Sequence, residues 1–273
     1  MQFLDEQHWQ ITLPLAEAAA AAALNYSFIL RNPDGSHSTD WGNDRCLVPA
    51  KFNADEVLVL ESWNHPGYFA NAFYTGPFKK VLLPENLKEI PAAKCASATH
   101  TFRVKAPLLA RNQTLCLLGE GPVLGGWQTT QPIRLGRAAG DDYFSVQLDL
   151  RNQPIPFAYK YGVFDAEKNS FVRYEDGANR VLNAAAAPGL HVVVNDGFVD
   201  LPADAWRGSG VAVPVFSLRS ESSFGVGEFL DLKPLADWGR NAGLKLIQLL
   251  PINDTSATGT WKDSFPYAAI SAF

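Results

Sequence analysis

Three positions in the middle of this 273-residue chain combine side chains that could recognise a ligand. Trp127 closes the glycine-rich run GEGPVLGGW at 119–127. Lys160 sits among aromatics in FAYKY at 157–161. Tyr174 precedes the polar run Glu175-Asp-Gly-Ala-Asn179-Arg180. A tryptophan and a tyrosine presented on loops stack on the apolar faces of pyranose rings, and a lysine and an asparagine beside them satisfy sugar hydroxyls. Buried area then supplies affinity, and a few placed polar groups supply orientation. On pattern alone two plainer readings stay open. Trp127 also suits a loop-plugging aromatic, and Lys160 an exposed strand residue.

The elements that must hold these side chains read as short strands. Residues 101–105, 114–118, 143–148, 157–161, 171–175 and 191–194 show short-period alternation. Such runs over about a hundred residues predict a small antiparallel sandwich at 100–200. Upstream, Trp9, Ile11 and Leu13 alternate with Gln10 and Thr12, and Tyr26, Phe28 and Leu30 alternate again. Asn32-Pro-Asp-Gly35 is a turn signal. Residues 46–48 and 57–61 are strand-like. The alanine-rich run 15–24 has helical propensity but lies between strand-like runs, so it predicts an irregular or briefly helical loop. These strands are too few for a sandwich of their own. Residues 1–62 are therefore expected to be a partial module, cut at its front. Residues 63–99 are expected to form a connector, packed through Phe69, Phe73, Tyr74 and Phe78.

From 208 onward the pattern changes. A β-rich apolar run at 211–216 is followed by helical spacing at 228–240, and then by a nearly continuous apolar run at 244–250 closed by Pro251. Asp231 suits a helix N-cap, Pro234 a first turn and Gly243 a C-terminal stop. Strand, helix, strand predicts the opening of a parallel α/β domain, and both doubly wound sheets and (β/α)8 barrels start so. The missing G-x-G-x-x-G argues against a dinucleotide site.

Composition narrows the function. Apolar residues make up 47% and aromatics 12%, which allows real cores. The net charge of −5 does not favour a nucleic-acid backbone or an anionic membrane. It suits a neutral ligand. Cys46, Cys95 and Cys116 are too few and too widely spaced for a disulfide framework or a zinc ribbon, and they point to a reducing compartment. No apolar run approaches a membrane span, and Asp5 and Glu6 stand where a signal peptide is basic. No metal cluster or cofactor motif is present in the sequence, so neither is expected.

Residues 101–199 resemble a family 20 starch-binding module. The resemblance rests on Leu124-Gly-Gly-Trp127, Tyr159-Lys160-Tyr161 and Tyr174-Glu175-Asp-Gly-Ala-Asn179-Arg180. It implies that Trp127, Lys160 and Tyr174 form the main α-glucan site, helped by Glu175 and Asn179. The family usually carries Trp where this chain has Tyr174, which implies somewhat weaker stacking. Asn25-Tyr-Ser-Phe28 and Asp40-Trp41-Gly-Asn-Asp-Arg45 resemble the second half of the same module, which implies an internal repeat. Ser27 then replaces the lysine. Trp41 becomes either a second stacking aromatic or a packing residue.

Residues 208–273, with VPVFSLRS, FGVGEFLDL, LIQLLPINDT and FPY, resemble the N-terminus of family 77 α-glucanotransferases. The closest form carries two starch-binding modules in front. The resemblance implies a 4-alpha-glucanotransferase that acts on maltose, maltodextrins or glycogen-like α-1,4-glucans by retaining double displacement, without cofactor or metal, in the cytoplasm. It places Asn253, Asp254 and Tyr267 at the rim of the substrate groove; Asn253 and Asp254 equally suit a helix cap. The family's catalytic carboxylates lie later than Phe273, so these 273 residues are read as a fragment, truncated at both ends and inactive. The alternative is a non-catalytic glucan-binding or scaffolding protein. The fold expected is multidomain, with antiparallel β-sandwich starch-binding modules followed by the first βαβ unit of a (β/α)8 barrel.

Overall fold

The computed structural model describes residues 1–6, 8–16, 22–41, 45–82, 89–93, 95–110, 112–201, 208–252, 256 and 258–264. The chain divides into two compact units, Met1–Asp204 and Ala205–Phe273.

The first unit opens with short strands. β1 (Gln2–Phe3) pairs with β2 (Trp9–Gln10). β3 (Leu24–Asn25), β4 (Ile29–Arg31), β5 (His37–Thr39) and β6 (Cys46–Leu47) form two more ladders, β3 with β6 and β4 with β5. The expected turn at 32–35 closes the second, with Gly35 N–H donating to the Asn32 carbonyl at 3.0 Å. β7 (Glu56–Glu61) is longer and belongs to a different sheet.

Two larger sheets follow. β8 (His100–Lys105), β9 (Gln113–Gly119), β10 (Ile133–Arg134), β11 (Phe144–Leu148), β12 (Phe157–Asp165), β13 (Ser170–Tyr174), β14 (Arg180–Leu182) and β15 (Leu190–Phe198) supply them. One sheet runs β10-β9-β12-β13, with β14 also on β12, and all its pairs are antiparallel. The other runs β11-β8-β15-β7, and β15 is parallel to both β8 and β7. Alternation puts Phe102, Val104, Leu115, Leu117, Tyr159, Tyr161, Val192 and Val194 into one buried core between them. Burying such side chains contributes about 1.5–3 kcal/mol each.

β12 continues through Gly162 to Asp165, past the expected end at 161. Glycine is required there: a Cβ on Gly162 would lie 2.5 Å from Phe171 Cε2. Residues 63–82 pack through their aromatics. Phe73 meets Phe69 and Phe78 edge-on, and Tyr74 lies 5.8 Å from Phe198.

In the second unit β16 (Gly210–Val213) pairs in parallel with β17 (Leu246–Leu249), and the helix Leu232–Asn241 lies between them in sequence. Pro214 ends β16 three residues earlier than the apolar run suggested. Pro234 falls in the helix's first turn, and Gly243 stops it with φ +76°. The Asp231 carboxylate makes no cap to the helix. It instead accepts from Glu228 N–H at 2.8 Å and from the Ser220 hydroxyl.

The expected fold class needs correction on three points, the first being that the region at 100–200 is not wholly antiparallel, because β15 runs parallel to β8. The first 62 residues form no sandwich; their described strands make three two-stranded ladders, and β7 joins the mixed sheet of the region downstream. The second unit is not the opening of a (β/α)8 barrel. Its regular structure, among the described residues, is a two-stranded ladder and one ten-residue helix, and nothing curls or closes. A barrel needs tilt and register stagger carried around a ring of strands, and a single two-stranded ladder supplies no such ring. The architecture is multidomain and β-rich. No helix among the described residues is long and apolar enough to cross a membrane.

Candidate functional site

Strand register builds one face from distant positions. Arg134 on β10 pairs with Cys116 on β9, Cys116 pairs with Gly162 on β12, and Gly162 pairs with Tyr174 on β13. Residues paired across a sheet project to the same side. This row therefore points away from the main core, and so does the next, Leu118 with Lys160. Gly162 leaves a gap, filled from β13 by Phe171, whose ring lies 4.7 Å from that of Tyr174. Cys116, Leu118 and Phe164 form a small second core, and Trp127, Phe171 and Tyr174 pack against it. Burial pushes the Cys116 thiol up to about 12, so it is an inert part of this floor.

Trp127 reaches the face through its backbone. Gly125, Gly126 and Trp127 have φ of +75°, +54° and +67° in succession. Two glycines adopt that region freely; Trp127 does so at a cost of about 1–2 kcal/mol. The loop is tied by Gly126 N–H to Gly121 O at 3.0 Å and by Gln128 N–H to Gly125 O at 3.0 Å. The indole stands edge-on to the Tyr174 ring at 6.3 Å and 66°. The Tyr174 hydroxyl donates to the Trp127 carbonyl at 3.3 Å.

Lys160 is half-buried, and its Nζ donates to Gly177 O at 2.6 Å, which ties the 175–180 loop to the same face. Asn179 is exposed on that loop. Glu175 is placed differently. It is 3% exposed, and both oxygens are engaged. Oε1 accepts from Tyr161 N–H at 2.9 Å and Arg180 Nε at 3.0 Å; Oε2 accepts from Arg180 Nη2 at 2.9 Å and Asp200 N–H at 3.3 Å. Glu175 thus anchors the loop from beneath. Beneath it, Asp196 accepts from the hydroxyls of Tyr159 and Tyr161, the latter at 2.7 Å. Burial raises the Asp196 carboxyl above its usual range, against the pull of Arg180.

Trp41 is half-buried and far along the chain from this row, with its N–H on Asn64 O at 2.9 Å. Asn253, Asp254 and Tyr267 lie outside the described residues. Arg134, an exposed member of the row with its guanidinium 5.3 Å from the Phe164 ring centre, had no signal in the sequence, because β10 has only two residues. Only register reveals it. No group of three His, Cys, Asp or Glu among the described residues is placed to hold a metal ion.

Comparison with known proteins agrees with this division. A starch binding domain model matches residues 98–191, and a 4-alpha-glucanotransferase model of glycoside hydrolase family 77 matches 213–273. The chain is 35% identical over 262 residues to the 4-alpha-glucanotransferase DPE2 of Oryza sativa subsp. japonica, covering 91% of this chain and 27% of that protein. It is 48% identical over 63 residues to a 4-alpha-glucanotransferase of Chlamydia caviae, covering 23% of this chain and 11% of that one. The chain thus spans about a quarter or less of the length of these relatives. Among solved structures, the family 20 module of a maltotetraose-forming amylase from Pseudomonas saccharophila aligns at 17% identity and TM-score 0.29, covering 35% of this chain and 97% of that one. Residues 98–191 are thus similar to the family 20 starch-binding domains and residues 213–273 to the family 77 4-alpha-glucanotransferases.

Proposed function

We propose that the outer face of the five-stranded sheet is an α-1,4-glucan site. Trp127 and Tyr174 are its stacking platforms, Lys160 and Asn179 donate to sugar hydroxyls, and Glu175 positions the loop that carries Asn179. The observation that carries this reading is the convergence of Trp127, Lys160 and Tyr174 on one side of the sheet, from a loop and two strands. Two aromatic faces and few polar groups match a ring with apolar faces and equatorial hydroxyls.

The site serves a 4-alpha-glucanotransferase. That enzyme moves glucosyl units or short segments between maltose, maltodextrins and soluble starch or glycogen by a retaining double displacement. In such chemistry one carboxylate attacks the anomeric carbon and a second protonates the leaving oxygen, then activates the acceptor. Residues 1–273 do not supply that pair in this reading, and Asn253, Asp254 and Tyr267 contribute to the rim of the substrate groove. The N-terminal 62 residues are half of a second starch-binding module, 63–99 connect it to the module at 100–200, and 208–273 belong to the transferase portion. Three unpaired cysteines fit a cytoplasmic setting.

Titration with maltoheptaose tests the binding claim, with cellohexaose as the β-linked control. Saturable quenching of tryptophan emission by the first alone supports it, with an affinity at least roughly tenfold weaker for Trp127→Ala, the size of one buried aromatic contact. Equal response to both sugars, or none, contradicts it. Release of glucose from maltose by residues 1–273 would contradict the assignment of catalysis to other residues.

A further inference from the structure

Tyr174 does more than offer a ring. It sits directly beside Gly162 in the row that faces the ligand. Its hydroxyl reaches across to the main-chain oxygen of Trp127 at 3.3 Å, while its ring meets the indole edge-on. Trp127 is the residue whose backbone is held in the left-handed region, at the end of three successive residues of that kind. The loop's own bonds fix Gly125, Gly126 and Gln128, and the Tyr174 hydroxyl reaches the Trp127 carbonyl from the sheet. A stacking platform must be held before the sugar arrives, since ordering it on binding costs affinity.

We propose that the Tyr174 hydroxyl is a positioning group for α-glucan binding: its bond to the Trp127 carbonyl locks the strained loop, so the two aromatics act as one preformed platform. The proposal rests on the glucan reading of this face. It assigns Tyr174 two separable roles, one for its ring and one for its oxygen. A tryptophan here has more stacking surface but no hydroxyl in this place, so it gains area and loses the lock.

The test uses the whole chain, maltoheptaose and titration calorimetry on the wild type, Tyr174→Phe, Tyr174→Trp and Trp127→Ala. Removing the hydroxyl while keeping the ring is expected to weaken binding roughly fivefold, the effect of one neutral hydrogen bond. Tyr174→Trp is expected to bind more weakly than the wild type despite its larger surface. Acrylamide quenching of the Trp127 contribution, taken as the difference from Trp127→Ala in each background, is expected to rise in Tyr174→Phe. In the Trp127→Ala background, Tyr174→Phe is expected to have no further effect on affinity, because no indole remains to be positioned. The proposal is overturned if Tyr174→Phe binds like the wild type, or if Tyr174→Trp binds more tightly. If the wild type binds, Trp127→Ala loses binding and Tyr174→Phe changes nothing, the glucan site stands and the lock does not. A wild type that fails to bind maltoheptaose removes both.

Discussion

Two buried clusters in the first unit are built alike. In the downstream region Tyr159 and Tyr161 meet edge-on at 6.1 Å, Arg180 lies 5.2 Å over the Tyr161 ring, and the Tyr159 hydroxyl reaches Asp196. Near the N-terminus Tyr26 and Phe28 meet edge-on at 5.9 Å, Arg45 lies 5.0 Å over the Phe28 ring, and the Tyr26 hydroxyl reaches Glu61. Each arginine also binds a carboxylate five residues before it: Glu175 for Arg180, Asp40 for Arg45. Glu61 ends β7 and pairs with Asn195 on the parallel strand β15, one residue before Asp196. The two regions thus share a similar cluster of charge and rings.

The difference lies on the surface above those clusters. Asp40 takes the place of Glu175, and the backbone agrees: Asn64 N–H donates to Asp40 and Trp41 N–H to Asn64 O, as Asp200 N–H donates to Glu175 and Asp176 N–H to Asp200 O. Trp41 therefore corresponds to Asp176, and Thr39 to Tyr174. Trp41 thus stands two positions beyond the place of Tyr174 and outside any strand. Ser27 already replaces Lys160. The two regions share the buried support but not the aromatic row above it, so the arginine cluster is separable from that row.

The largest expected effect breaks the downstream cluster. Arg180→Ala leaves Glu175 and Asp196 without their cation and is expected to cost about 3–5 kcal/mol in chemical denaturation, with maltoheptaose binding lost. Arg45→Ala does the same to Asp40 and Glu61, yet its binding affinity is expected to stay within about twofold of the wild type once folded protein is counted. Loss of binding in the second variant would join the two regions into one site.

Acid is expected to weaken the mixed sheet next. Burial holds His100 and His191 below the ordinary histidine value, His100 with its ring on the Thr99 hydroxyl and the Ala184 carbonyl, His191 on Thr101 and stacked at 4.6 Å on Phe52. The unfolded chain then takes up protons first as pH falls through about 6.5, so stability present above that pH is lost on the way down. Tm measured between pH 7.5 and 5 should fall, and replacing both histidines with Gln should flatten the profile. A wild-type Tm that rises over that interval contradicts this sign. Lys160→Met is expected to have the smallest effect, a roughly threefold loss of maltoheptaose affinity with Tm unchanged, since one hydrogen-bonding group is removed from a half-exposed position.

Much of the sandwich could be read from alternation, because one face of each strand is buried. The strands at 100–105, 113–119, 144–148 and 170–174 lie within about two residues of their expected bounds. Pattern reveals faces but not partners, so neither the parallel β7–β15 pair nor the row from Arg134 to Tyr174 was legible. Trp127, Lys160 and Tyr174 stand out in the sequence because their types are out of place for their setting, and the structure brings them to one face. Glu175 looked alike in sequence, but a carboxylate five residues from an arginine turns inward once the loop closes. The apolar run at 244–250 is longer than the strand it contains: Leu246–Leu249 is the strand, and among the described residues it pairs with β16 alone.

The most direct test compares Trp127→Ala with Trp41→Ala in a maltoheptaose titration under one set of conditions. The account predicts that Trp127→Ala loses at least about tenfold in affinity while Trp41→Ala changes it by less than about twofold. Equal losses, or the reverse order, would contradict the claim that the glucan face lies above the downstream cluster alone.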